Sequence, residues 1–355
     1  MANPPQPTPL TILTGFLGAG KTTLLNRLIT ANHGLKVAVM VNDFGAINID
    51  SQMIVSVEGS TVSLSNGCIC CTINEDFLKE TLALLDRPDP PEYIIVETSG
   101  VSDPIDVALT FKAIPRVRID SILTVIDTEQ ILDLSKENEI LALNQIGTAD
   151  IVLLNKVDLV DDQQRQKVRQ FVTKIAPRAR ILETTYANAP LEVLLDVGLY
   201  SGLNPSVHQP QDVHVHEVGT HHHDHPHHDH SLIFDTWSWT SYEPLNARAV
   251  QQMVDQLPNS IYRAKGFLYL IESPYRAGVL QVVGKRANLT YLGQMWEDQT
   301  PYSQLVFIGA HGSIDPDDMQ RRLEACLAKN APKSDLSRIA DLALSWLRRK
   351  SEQAK

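Results

Sequence analysis

The sequence predicts a doubly wound, mostly parallel α/β sheet joined to a smaller α+β domain, and three observations carry that prediction. Short apolar runs alternate with helical patterns from Leu10 to about Gly202. The first of those runs leads straight into a glycine-rich turn with the spacing GxxxxGK[ST]. From Asn204 to His230 the composition shifts to Pro, Gln, Asp and His, with no apolar period to support a core.

The runs Leu10 to Thr14, Val37 to Asn42, Tyr93 to Glu97, Ser121 to Asp127, Ile151 to Asn155 and Arg180 to Thr184 read as strands. Val37 to Asn42, Tyr93 to Glu97 and Ile151 to Asn155 are almost continuously hydrophobic, as strands covered on both faces are. Thr23 to Thr30 and Thr72 to Leu85 read as helices between them. Asn204 to His230 reads as a linker. Beyond it, Leu232 to Thr240 alternates like a strand, Pro244 to Leu257 is helix-like, and Gly266 to Glu272, Val279 to Val283 and Leu305 to Gly309 read as further strands. Asp315 to Ala328 makes an amphipathic helix behind an N-cap. The expected division is a first domain over 1–203, a His-rich linker over 204–231, a second domain over 232–330 and a helical or polar tail over 331–355.

With 31 Lys and Arg against 42 Asp and Glu, the net charge of −11 repels phosphate backbones and anionic lipid surfaces. Nucleic acid and membranes are therefore poor partners. Four cysteines in 355 residues are too few for a disulfide framework, and reduced thiols imply a cytoplasmic setting. The opening stretch MANPPQPTPL has no basic region followed by an apolar one, and no run reaches the roughly 18 apolar residues of a membrane span. A soluble chain that is not secreted is expected.

Gly15-Phe16-Leu17-Gly18-Ala19-Gly20-Lys21-Thr22 fits the phosphate-binding loop, between a strand and a helix as that loop requires. Glycines let the backbone turn its N–H groups onto phosphates at a helix N-terminus. Lys21 then neutralises the β and γ oxygens, Thr22 offers a hydroxyl to Mg²⁺, and Gly15, Gly18, Ala19, Gly20 and Thr23 line the same turn. At the end of the Tyr93 strand, Glu97 is placed to hold Mg²⁺ or its water, and Gly100 to bring a backbone N–H to the γ-phosphate.

A further strand end carries Asn155-Lys156-Val157-Asp158. A carboxylate at Asp158 accepts from both N1–H and the 2-amino group of guanine, whereas the unprotonated N1 of adenine would face it with a lone pair. GTP is favoured over ATP on that ground, with Asn155, Lys156 and Asp158 as base-site residues. Thr185-Tyr186-Ala187, after the last strand, is a weaker candidate for a backbone N–H to guanine O6.

Cys68, Cys70 and Cys71 lie just before the Thr72 helix. Three thiolates in one turn suit a soft or borderline ion such as Zn²⁺, and an incomplete ligand set suits an ion that must be passed on. Redox pairing of Cys68 with Cys71 is the rival. Cys326, alone in a helix, reads as a core residue. Ten of the 12 histidines lie between His208 and His230, with His221, His222, His223, His225, His227, His228 and His230 in one run. Neutral imidazoles there can hold Zn²⁺, Ni²⁺ or Co²⁺ loosely. His33 and His311 read as ordinary residues.

Taken together, GFLGAGKTT, SNGCICC, the ETSG strand end, ALNQIGTADIVLLNKVDL and Tyr262-Arg263-Ala264-Lys265-Gly266 resemble the CobW-type metallochaperone GTPases over nearly the whole chain. The resemblance implies a GTP-hydrolysing domain, a variable linker and a CobW C-terminal domain. It also implies zinc or cobalt delivery to a client metalloprotein, with the C-x-C-C thiolates as ligands. Many relatives carry a metal-associated glutamate where this chain has Ala46, so the cysteines must supply most of the site. Asp43 remains nearby, either orienting the attacking water, as an acidic residue does in related GTPases, or closing a turn before Gly45. Lys21, Thr22, Asp43 and Glu97 are thus the expected catalytic set. A metal buffer or sensor and a cobalt insertion factor for cobalamin synthesis stay open as alternatives, and a homodimer is an admissible assembly.

Overall fold

The computed structural model describes residues 7–31, 34–41, 61–63, 73–195, 214–217, 233–294, 296 and 300–330. Strand β1 (Thr8–Thr14) runs into helix α1 (Lys21–Thr30), followed by β2 (Val37–Val41), β3 (Thr61–Ser63) and α2 (Ile73–Leu85). Then come β4 (Tyr93–Glu97), α3 (Pro104–Lys112), β5 (Val117–Asp127), α4 (Lys136–Thr148), β6 (Ile151–Asn155), α5 (Asp162–Ile175), β7 (Arg180–Thr184) and the one-turn α6 (Leu191–Leu194).

Among the described residues, seven strands form one parallel sheet in the order β3-β2-β4-β1-β5-β6-β7. The chain leaves β1 to one side, returns to β4 beside β1, and continues with β5 on the other side. Such a reversal opens a crevice at the C-terminal ends of the strands. Side chains alternate across the sheet as the strand period demands. Leu10, Ile12, Met40, Ile94 and Val96 enter one core, while Leu13, Val39, Val41 and Ile95 enter the other. All six expected strands are present. β5 starts at Val117 rather than Ser121, because Arg118 and Asp120 interrupt its apolar run without ending its pairing to β1. β3, three residues long at the sheet edge, is too short to show a period and was not expected.

The second sheet comprises β8 (His214–Glu217), β9 (Ile233–Ser241), β10 (Ile261–Tyr269), β11 (Arg276–Val283), β12 (Arg286–Gln294) and β13 (Ser303–Ala310). Its strands are antiparallel in the order β12-β11-β10-β13-β9-β8. β8 corrects the reading of Asn204 to His230 as linker throughout. A four-residue edge strand held to β9 by backbone hydrogen bonds needs no apolar pattern of its own. Helices α7 (Ala247–Asp255) and α8 (Pro316–Ala325) cover one face over Trp237, Trp239, Leu268 and Phe307. Asn246 caps α7 by accepting from Ala249 N, and Asp315 caps α8 by accepting from Asp317 N and Asp318 N.

The opposite face lies on the first sheet, where Phe234, Val283 and Ile308 share a core with Leu13, Leu25, Val125, Leu153 and Val193. A buried ion pair crosses this junction. Arg263 donates to Asp120 Oδ2 at 2.8 Å, to Val193 O at 2.6 Å and to Leu194 O at 2.8 Å. Asp120 faces Arg263 because the β1–β5 ladder skips it: Leu10 pairs with Ile119, and Thr11 with Ser121. A bulge of this kind redirects one side chain. Burial by itself would push the Asp120 carboxyl up. The Arg263 and Arg118 charges, with hydrogen bonds from Arg263 and Tyr93, outweigh it and hold the carboxyl well below the usual carboxylate range. Burial and the Asp120 charge raise the Tyr93 phenol well above its ordinary value. Its proton therefore goes to Asp120 at 2.8 Å, and Thr11 donates to the phenol oxygen at 2.7 Å.

With side-chain exposures of 3% and 1%, neither Arg263 nor Asp120 can be left alone without burying a bare charge. Arg263→Ala is expected to cost roughly 3–5 kcal/mol in chemical denaturation, and the double variant Arg263→Met with Asp120→Leu much less. Because the folded-state pKa of Asp120 is depressed, the contribution of the pair is present above the usual carboxylate range. It fades as pH falls through that range towards the folded value. Below about pH 4 the wild type should therefore lose stability faster than the double variant.

Candidate functional site

At the C-terminal end of β1, residues Gly15 to Gly20 form a tight loop, and α1 begins on Lys21. No side chain caps α1, so its first N–H groups face the loop, an arrangement suited to an anion. Gly20 has φ +108°, and a Cβ there would sit 2.4 Å from Asn155 Nδ2. Only glycine satisfies both conditions. Gly15 and Gly18 also have positive φ, and Ala19 is fully buried beneath the turn. The Lys21 ammonium folds back over its own loop, donating to Gly15 O at 2.9 Å and Phe16 O at 3.3 Å. Thr23, in the first turn of α1, is exposed.

β4 ends beside this loop. Thr22 Oγ1 donates to Glu97 Oε1 at 3.3 Å, and Glu97 is 3% exposed. Thr98 continues the contact, its N–H donating to Leu13 O at 2.9 Å and its hydroxyl to Thr14 Oγ1 at 3.0 Å. Gly100 is pressed against the loop, since a Cβ there would approach Leu17 N to 2.8 Å. Gln145 of α4 donates to Gly100 O at 3.3 Å and holds it there.

β6 ends on the other side. Asn155 is buried, donates through Nδ2 to Ala19 O at 2.9 Å, and accepts at Oδ1 from Ala187 N at 2.8 Å and Thr184 Oγ1 at 3.2 Å. Its side chain joins two loops. Lys156, at φ +62°, pairs with Asp127 Oδ2 at 2.6 Å. Asp158 is exposed within a single 3₁₀ turn, Val157–Leu159.

After β7, Tyr186 and Ala187 both adopt left-handed conformations, φ +51° and +53°. Each such residue costs on the order of 1–3 kcal/mol and persists only where its surroundings impose it. Here Asn188 N donates to Thr185 O at 3.0 Å, Ala187 N is held by Asn155, and Arg27 of α1 donates to Tyr186 O at 2.8 Å and Asn188 Oδ1 at 3.2 Å. Arg27, Asp127 and Thr184 were not foreseen, because each meets its partner across a long stretch of sequence.

Asp43, Cys68, Cys70 and Cys71, together with His221, His222, His223, His225, His227, His228 and His230, lie outside the described residues. Among the described residues no group of three or more His, Cys, Asp or Glu is placed to hold a metal ion. Nor is any helix among them long and apolar enough to cross a membrane. Cys326 is a core residue, 2% exposed, its thiol pushed up to about 11 by burial. His311 Nδ1 lies 2.8 Å from Asp235 Oδ1.

Comparison with known proteins accounts for both sheets. The CobW/HypB/UreG nucleotide-binding domain matches residues 9–183, and the cobalamin synthesis protein cobW C-terminal domain matches residues 234–327. "Zinc-regulated GTPase metalloprotein activator 1" of Dictyostelium discoideum is 29% identical over 96% of this chain and 83% of its own length. The Schizosaccharomyces pombe protein of the same name is 34% identical over 72% of this chain and 67% of its own. "Zinc chaperone CobW" of Pseudomonas aeruginosa is 31% identical over 90% of this chain and 92% of its own length. With both matched domains present in order, the chain belongs to the CobW/HypB/UreG family of nucleotide-binding proteins.

Proposed function

We propose that this chain is a GTP-hydrolysing metallochaperone that binds zinc through Cys68, Cys70 and Cys71 and passes it to a client metalloprotein. The observation that carries the nucleotide half is the convergence, at one sheet edge, of an uncapped helix start, the buried Lys21, the Thr22–Glu97 pair and the exposed Asp158. The zinc half is supported by the thiolate spacing and by relatives whose names state zinc. Cobalt and nickel suit the same donors less specifically.

In this reading the loop N–H groups and Lys21 bind the β and γ phosphates, and Gly100 adds an N–H at the γ position. Thr22 and Glu97 are hard oxygen donors 3.3 Å apart, a fitting pair for Mg²⁺, direct or through water. Bound there, the ion supplies charge neutralisation at the phosphate oxygens. Asp43 orients the attacking water. Asp158 reads guanine, Lys156 stays beside it through its pairing to Asp127, and Asn155 keeps both loops in place. The chemistry is mainly positioning and electrostatics, so turnover is slow without a partner.

The functional units follow as a nucleotide and zinc domain over 1–203, a second domain over 232–330 and a tail over 331–355, in a cytoplasmic protein with a protein client. β8 is an outlying strand of the second domain within 204–231. A homodimer is compatible with this division.

The His-rich run favours one second reading, a metal buffer or sensor. Removing His221 to His230, which spares β8, separates the two: a chaperone still loads its client, whereas a buffer loses most of its ion capacity. Three further outcomes test the main reading. Lys21→Ala should reduce GTP hydrolysis by at least roughly a hundredfold in a phosphate-release assay, since charge neutralisation at the transferred phosphate is lost. Asp158→Asn should move preference from GTP towards xanthosine triphosphate, because an amide N–H then meets a 2-oxo group; retained GTP preference would remove the guanine assignment. Cys70→Ala should abolish tight zinc binding in a competition titration, and an unchanged affinity would exclude the thiolate site.

A further inference from the structure

The Thr185–Asn188 turn holds two consecutive non-glycine residues in left-handed conformations, and its bracing comes from far away in sequence. Arg27 projects from α1, the helix that begins in the phosphate loop, and reaches the turn with two nitrogens: Nε to Tyr186 O at 2.8 Å and Nη1 to Asn188 Oδ1 at 3.2 Å. A guanidinium donates in a fixed fork and so sets the two acceptors relative to each other. Arg27 is exposed, and its link to this turn is therefore not a by-product of core packing.

β7 is the neighbour of β6 in the sheet, so the turn that follows β7 flanks the segment carrying Asp158. If Asp158 takes N1–H and the 2-amino group, the next atom along the guanine edge is O6, which needs a donor. The Ala187 N–H is already given to Asn155 Oδ1 at 2.8 Å. Among the described residues, the Tyr186 N–H has no acceptor, and Tyr186 is 71% exposed.

We propose that Arg27 is a positioning residue for base recognition, holding the Thr185–Asn188 turn in its left-handed conformation so that the Tyr186 N–H meets the 6-oxygen of bound guanine. This rests on the guanine reading above and adds to it the element that sets discrimination at the 6-position. Without Arg27 the turn relaxes towards ordinary backbone angles and its donor leaves the ring edge, while phosphates and Asp158 keep their contacts.

The test measures binding of GTP, 6-thio-GTP, inosine triphosphate and ATP, each with Mg²⁺, to the full chain as wild type, Arg27→Ala and Arg27→Lys. 6-Thio-GTP changes only the 6-acceptor, and inosine triphosphate removes only the 2-amino group. Wild type should prefer GTP to 6-thio-GTP by roughly three- to tenfold, the range for one hydrogen bond. Arg27→Ala should bring that ratio close to one and leave the ratio of GTP to inosine triphosphate unchanged. Arg27→Lys should fall between, since one ammonium lacks the fork. A 6-thio ratio unaltered in Arg27→Ala, or an equal loss for all four nucleotides, overturns the proposal. Failure of wild type to prefer GTP to ATP overturns the guanine reading itself and this proposal with it.

Discussion

The Asn155 carboxamide, 2% exposed, joins two segments far from it and from each other in the chain: the Gly15–Gly20 loop through Ala19 O, and the end of β7 with its following turn through Thr184 and Ala187 N. Each bond is buried, where a missing partner costs the desolvation of the group left behind. Gly20 is fixed by the same amide, because no Cβ fits between them. The relative placement of the Gly15–Gly20 loop and the Thr185–Asn188 turn therefore depends on this side chain, with Arg27 as a second tie from α1, and the strained Tyr186–Ala187 conformation is part of what they maintain. Parallel strands alone would bring these loops to one edge without setting their spacing.

The second domain reaches this arrangement from below. Its sheet buries apolar side chains against the same core that supports α1, and Arg263 closes onto Asp120, Val193 and Leu194. Through Tyr93 and Thr11 the ion pair is continuous with β4 and β1, whose far ends carry Glu97 and the phosphate loop. A second buried acid at the junction behaves in the opposite sense. Asp150 accepts from Ile122 N and Arg286 Nε, but burial outweighs Arg286 and raises its carboxyl pKa. Acid therefore weakens the junction at Asp120 and relieves the cost of charge at Asp150. The two domains are tied by two carboxylates whose contributions to stability respond to pH in opposing directions.

Much of the first sheet was legible because its signals are local. An apolar run of five residues, a glycine spacing and an acid at a strand end can each be read within one segment, and Tyr93–Glu97, Ile151–Asn155 and Arg180–Thr184 appear with those bounds. β3 and β8 were not legible, since an edge strand of three or four residues draws its stability from a neighbour's backbone. Nor was the forward displacement of β5, because Arg118 and Asp120 look like loop residues until Arg263 is brought to them by a separate domain. At the site, Lys21, Thr22 and Glu97 could be named from spacing. Arg27 and Thr184 could not, since nothing near either residue indicates its partner. Asp43 and the three cysteines remain sequence readings, lying outside the described residues.

What unites these features is a nucleotide edge whose loops flank, in sequence, a cluster of thiolates between β2 and β4. For hydrolysis to drive metal transfer, GTP and GDP must favour different zinc affinities, because a ligand that binds two states equally shifts neither. The most direct measurement is the zinc dissociation constant of the full chain by chelator competition, in saturating GTP with Mg²⁺ and in saturating GDP with Mg²⁺. A difference of about tenfold or more, equivalent to about 1.4 kcal/mol of coupling, is the predicted result, with the weaker binding in GDP. Equal constants in the two nucleotides would contradict the account and leave GTP hydrolysis and zinc binding as separate properties of one chain.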